Sequence, residues 1–290
     1  MSARDRVATP GVRDADRSGR PASPLLRVLP PVVTGLYAGR ARMLVLRSAM
    51  VNRRSWLMIV SGAVEPIFYL LAMGQGLGSL VGSLPGPEGA PLSYAAFIAP
   101  GLLAASAMNG AVYDSTFNVY FKLRHAKLYD AVLTTPLGPV DIALGEISWE
   151  LLRGGLYAAG FLGVLGVAGL VTTPWALLVV PAALLVAFAF GAVGMAATTW
   201  MRSWQDFDLV QLALLPMFLF ATTFYPLSVY PRPLQLLVEV LPLFHAVEIM
   251  RSLTSGVIGW GILGHVGYFV VMAVVGSVVA SRRLATLLLR

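Results

Sequence analysis

Apolar residues in this chain come in long uninterrupted blocks, not in the one-face helical or alternating strand patterns of a soluble core. The blocks run from about Ser55 to Gly78, Tyr94 to Tyr120, Leu151 to Leu170, Trp175 to Trp200, Leu209 to Tyr225 and Val257 to Ala280. A bilayer core takes roughly 20 apolar residues per helical crossing, so these blocks predict about six transmembrane helices. Glu65-Pro66 interrupts the first of them. Between the last two lies Pro226 to Gly256, whose apolar part, Gln235 to His245, is too short and too proline-flanked to cross. It predicts a re-entrant element on the outer side. The predicted fold class is an all-α polytopic membrane protein.

The connecting segments are polar in different ways. Residues 1–31 are rich in Arg, Asp, Ser, Pro and Gly and read as a disordered tail. Residues 32–54 mix Leu36, Met43, Leu44 and Met50 with Arg40, Arg42, Arg47, Arg53 and Arg54. That mixture predicts an amphipathic helix on anionic head groups, with a simple extension of the first span as the other reading. Residues 55–290 form the spanning domain. The loops at 79–93 and 171–174 hold no Lys or Arg, whereas 121–140, 201–208 and the C-terminal end do. Basic residues mark cytoplasmic loops, so both termini are expected inside, with Arg232 and Arg251 on the outer side.

Composition narrows the function. Only 12% of residues are charged and 57% are hydrophobic, so most of the surface must face lipid. The net charge of +7 is explained by its placement in loops and argues for no nucleic-acid partner. Cysteine is absent, which excludes disulfides and thiolate metal sites. Neither lysine follows a glycine, so there is no phosphate-binding loop for ATP. His125, His245 and His265 are scattered, and no metal or catalytic cluster is expected.

A few residues carry possible chemistry. Glu65 and Pro66, with Asn109 and Asp114 in the second span, read either as translocation-path residues or as helix-packing groups. Glu146, Glu150 and Arg153 share one helix face and predict an interfacial salt-bridge network, with a carboxylate catalytic pair as the other reading. In 121–140, Leu123, Leu128, Ala131 and Val132 predict one face of a short helix flanked by Lys122, Arg124 and Lys127 and stopped at Thr135-Pro136. Such a helix fits either a docking element for a soluble motor or a head-group-binding loop.

The ordered series Glu65-Pro66, Tyr94-x-x-Phe97 with Pro100-Gly101, Leu133 to Leu137, Gly145-Glu146, Pro216-Met-Phe218, Phe224-Tyr-Pro-Leu227 and Leu241-Pro-Leu-Phe-His245 resembles ABC-2 type transporter permeases. The resemblance covers about residues 35 to 290 and is most like the exporters of lipo-chitooligosaccharide nodulation factors, with drug and polysaccharide exporters as relatives. It implies a bacterial plasma-membrane permease, homo- or heterodimeric, that moves a lipid-linked, glycan or drug-like substrate outward. ATP and Mg would be bound by a separate ATPase subunit, with no cofactor in this chain and membrane lipids around it. It assigns coupling to Lys122, Leu123, Arg124, Lys127, Leu128, Leu133 and Pro136, and an outer gate to Thr222, Thr223, Pro226 and His245. Thr222-Thr223 departs from the Ser-Gly common in relatives. An intramembrane enzyme acting on lipid or glycan, with Glu65 or the Glu146/Glu150 pair as acid or base, is the alternative.

Overall fold

The computed structural model describes residues 40–52, 56–85, 91–171 and 173–288. The tail predicted at 1–31 and the start of the interfacial segment lie outside them. Helix α1, Ala41–Asn52, does not lie free: Leu44 and Ser48 are buried against a neighbouring helix, while Met43, Leu46 and Met50 stay exposed. Helix α2, Trp56–Leu71, runs on through Pro66 and continues as a π-helical turn, Ala72–Leu77, and a last α turn, Gly78–Val81. The proline therefore removes one rung of the ladder without ending the helix. The Gly/Pro-rich loop that follows pairs Ser83–Pro85 (β1) with Pro91–Ser93 (β2), antiparallel, with Ser83 opposite Ser93.

Helix α3, Tyr94–Tyr113, begins at Ser93, whose hydroxyl accepts the Ala96 N–H. It does not stop near Tyr120 as expected. Two π-helical turns, Asp114–Asn118 and Phe121–His125, carry it to His125. The hydroxyls of Ser115 and Thr116 donate to the carbonyls of Ala111 and Val112, supplying donors where the ladder shifts register. Lys127 then adopts a left-handed backbone, φ 45°, and a separate helix α4 spans Leu128–Leu133. The single amphipathic helix expected here is thus two pieces with a break between them.

Helix α5, Pro139–Val167, is one continuous 29-residue rod and includes what reads in sequence as a polar lead-in. At about 1.5 Å per residue it is longer than the roughly 30 Å hydrocarbon core, which leaves room for its acidic first half beyond the bilayer centre. Asp141 fixes its start: Oδ2 accepts the Gly138 N–H and Oδ1 accepts the Arg40 N–H, so one carboxylate ties the beginnings of α5 and α1. Gly145 leaves space for Leu44, since a Cβ there would lie 2.7 Å from the Leu44 Cβ.

Helix α6, Val179–Thr198, follows a 3-10 turn at Pro174–Leu178 and is the hub, packed against α3, α5 and the last helix. Its buried Ala183, Ala187, Ala189 and Ala192 allow those helices close. Helix α7, Asp206–Phe220, has 15 residues and none of them buried. It is shorter than the predicted fifth span. Helices α8, Arg232–Val240, and α9, Pro242–Ser255, meet at a bend of 85°. Pro242 sits at the first position of α9 and Leu241 before it is extended, which sets that corner. Helix α10, Gly261–Leu288, is the last described element.

Among the described residues, five helices are long and apolar enough to cross a membrane, or up to six if the bent α8–α9 pair is one span. The architecture is all-α and multi-pass. A large apolar core joins α3, α5, α6, α9 and α10. A second one, built on Leu44, Val119, Tyr129, Ile142, Met195 and Leu284, seats α4 between the ends of the spans.

Candidate functional site

The α3–α5 seam carries a polar ladder. Asp114, Asn118 and Lys122 recur every fourth residue along the end of α3, and Glu146, Glu150 and Arg153 line the facing side of α5. The two helices run in opposite directions, so the pairs cross over: Lys122 Nζ lies 2.6 Å from Glu146 Oε2, and Arg153 pairs with Asp114. Asn118 donates to Asp114 Oδ1 at 2.8 Å. Asp114, Glu146 and Glu150 are buried. The network expected within α5 is therefore built between helices. Arg153 takes its partner from α3, and Glu150, three residues away, forms no ion pair among the described residues.

Tyr129 of α4 donates its phenol to Glu146 Oε1 at 3.2 Å. Burial and then the Glu146 carboxylate push that phenol well above its ordinary pKa, so it stays a donor. Leu123, Leu128 and Leu133 are half-buried against the second core. Arg124, Lys127 and Pro136 are exposed, although the Arg124 guanidinium donates to the Met201 carbonyl at 3.3 Å. Tyr120 donates to the Arg202 carbonyl, and His125 stacks on Trp204 with centroids 5.1 Å apart. The end of α3, α4 and the turn before α7 thus form one assembly. Arg283 of α10 lies over the Trp200 ring at the same end.

Glu65 is exposed on α2 and has no hydrogen bond or ion pair among the described residues, while Pro66 is buried. Asn109 is half-buried. At the opposite end, Thr222 and Thr223 are buried in the bend after α7. Thr222 is left-handed, φ 61°, and its carbonyl accepts from Arg251 at 2.8 Å. Arg251 also donates to Glu248 Oε1 and stacks on Phe97 at 4.3 Å. Pro226 is half-buried just beyond.

His245 is not isolated. Its Nδ1 is 2.7 Å from Nδ1 of His265, and Tyr268 packs on its ring with centroids 4.2 Å apart. The scattered histidines of the sequence are thus partly gathered, because α9 and α10 pack side by side. No group of three or more metal-ligating side chains occurs among the described residues. The signals for Arg251 and His265 are weak in sequence: Glu248 lies three residues before Arg251, but the Thr222 carbonyl that Arg251 also reaches is 29 positions away and the partner of His265 is 20 away.

The family model described as ABC-2 type transporter matches residues 40–254. Nodulation protein J of Rhizobium leguminosarum bv. viciae is 30% identical over 233 residues, covering 78% of this chain and 87% of that protein. Its counterpart in R. leguminosarum bv. trifolii is 31% identical over 229 residues, with 78% and 85% covered. Nodulation protein J of Rhizobium meliloti (strain 1021) is 30% identical over 201 residues, with 68% and 74% covered.

Proposed function

As this chain belongs to the ABC-2 type transporter family, we propose that it is the membrane-embedded part of an exporter whose ATP, with Mg, is bound and hydrolysed on a separate subunit. The chain itself is a multi-pass transport subunit. The observation that carries the coupling reading is the mounting of the 121–137 segment. Lys122, Tyr129 and the three leucines hold it to α5 and the second core, while Arg124, Lys127 and Pro136 face outward from it. An element that passes force from a motor to the spans needs both a stiff attachment and a free contact face. A head-group-binding loop needs only the second.

The proposed cargo is a lipid-linked, glycan or hydrophobic drug-like molecule, in keeping with relatives named for nodulation. The basic end of the bundle, with Lys122, Arg124, Arg202 and Arg283, is placed in the cytoplasm, as are both termini. Thr222, Thr223, Pro226 and His245 then lie at the outer end. The exposed apolar face of α7, with Leu209, Leu212 and Leu215, is proposed to meet a second permease copy. The enzyme alternative is less well supported, since Glu146 is committed to Lys122 and Tyr129. The test is co-purification of an ATPase subunit with the full chain, followed by ATP-driven uptake into inside-out vesicles. A chain that retains no ATPase and turns over a lipid or glycan on its own overturns the reading.

A further inference from the structure

Ala221, Thr222, Thr223 and Phe224 form the bend that follows α7, and all four are buried although no residue of α7 itself is. The bend fits its place poorly. Thr222 is left-handed at φ 61°, a costly backbone for a β-branched residue, and the Thr223 hydroxyl is buried with no hydrogen-bond partner among the described residues. The N–H and hydroxyl of Thr222 donate only to Phe220 and Ala221, its immediate neighbours. Among the described residues a single hydrogen bond joins the bend to another helix. The Arg251 guanidinium on α9 donates to the Thr222 carbonyl at 2.8 Å.

Arg251 is built into that position. Of the two arginines at this end, Arg232 leaves 72% of its side chain exposed and Arg251 only 21%. Glu248, three residues before it on α9, accepts from Nη1 at 2.8 Å, which balances the charge and aims the guanidinium. Phe97 of α3 lies under the guanidinium, its ring centroid 4.3 Å away. One turn further along the same face of α3, Gly101 meets the bend: a Cβ there would lie 3.0 Å from the Thr223 Cα. Phe97 and Gly101 thus receive the cation and the bend side by side. With a neutral side chain in place of Arg251, only van der Waals contact holds a strained segment against α3.

We propose that Arg251 is a positioning residue for transport: it latches the bend after α7 against Phe97 and Gly101 of α3, and its release opens this end of the bundle. Its part in transport rests on the transport reading above; the latch itself does not.

The chain has no cysteine, so one introduced thiol reports on one place. Thr223→Cys in the full chain, held in nanodiscs that leave both faces open to solution, is labelled with a charged maleimide. Slow labelling is expected, and adding Arg251→Gln should speed it about tenfold or more, since a buried thiol reacts only in the open fraction. Arg251→Lys keeps the cation and a donor, and should label about threefold or more slower than Arg251→Gln. Phe97→Leu removes the ring alone and should speed labelling about threefold, a second route where Arg251→Gln does not fold. Thr198→Cys, equally buried at the opposite end, reports general loosening and should not respond to Arg251→Gln. Unchanged labelling of Thr223→Cys by Arg251→Gln and Phe97→Leu, equal rates in Arg251→Lys and Arg251→Gln, or equal acceleration at Thr198→Cys overturns the latch. With the ATPase subunit bound, ATP and Mg should raise the Thr223→Cys rate about threefold or more. No rise there overturns the part in transport and leaves the latch standing. Where no ATPase subunit co-purifies, the transport reading fails, and the nanodisc rates still decide the latch.

Discussion

Asp114 and Arg153 show what the interior of this bundle tolerates. Each is mostly buried and each is neutralised by the other across the α3–α5 seam. Removing one member of a buried pair strands the other, at a cost of about 3–5 kcal/mol. Arg153→Met is therefore expected to lower the unfolding temperature in detergent sharply, and adding Asp114→Asn to recover much of the loss. Equal losses in the single and double variants would show that the pair is not the cause. Thr222 gives a change of opposite sign. A β-branched residue at φ 61° costs on the order of 1–2 kcal/mol, and glycine does not carry that cost. Thr222→Gly should raise the unfolding temperature while Arg251 keeps the same carbonyl. These partnerships were not legible in the sequence. Spacing along α5 puts Glu150 beside Arg153, but only the packing of α3 shows that Arg153 turns to Asp114. The two histidines likewise become neighbours through the α9–α10 contact, which no local pattern encodes.

At the scale of elements, hydropathy placed the long helices because lipid imposes a simple requirement on every residue of a crossing. It was less informative where the backbone departs from the α form. The π-helical turns at Asp114–Asn118 and Phe121–His125 lengthen α3, and the left-handed Lys127 separates α4 from it. None of these has an apolar period to announce it. The split separates two kinds of substitution within 121–137. Lys122 anchors the segment, so Lys122→Glu sets two carboxylates together and is expected to lose both stability and transport. Lys127 is exposed and holds no side-chain partner among the described residues, so Lys127→Glu should leave the fold intact while ATP hydrolysis continues without transport. Transport at the wild-type rate in Lys127→Glu, measured in vesicles with the ATPase subunit present, would count against docking there. The α1–α5 contact has its own test. Gly145→Leu has no room beside Leu44 and should displace α1, read as faster proteolysis within 40–52.

For the whole molecule, the helices divide unevenly between a packed body and a loosely attached remainder. Helices α3, α5, α6, α9 and α10 share one apolar core, whereas α7 has no buried residue and presents Leu209, Leu212, Leu215 and Leu219 outward. Lipid can cover such a face, since lipid tails are as apolar as leucine and association needs close packing to win. A short helix gives a reason for more than lipid. Its 15 residues reach only about 22 Å, less than the roughly 30 Å core, and a mismatch of that kind favours association. The absence of cysteine makes the question directly measurable, because any introduced thiol is the sole one. Leu212→Cys and Leu215→Cys, expressed in membranes and oxidised, are expected to give a disulfide-linked dimer, whereas Val271→Cys on the exposed face of α10 is not. Crosslinking at Val271 with none on α7 would move the interface to α10 and remove α7 from it. Cross-linking nowhere would leave α7 facing lipid and remove it from the proposed contact between two copies.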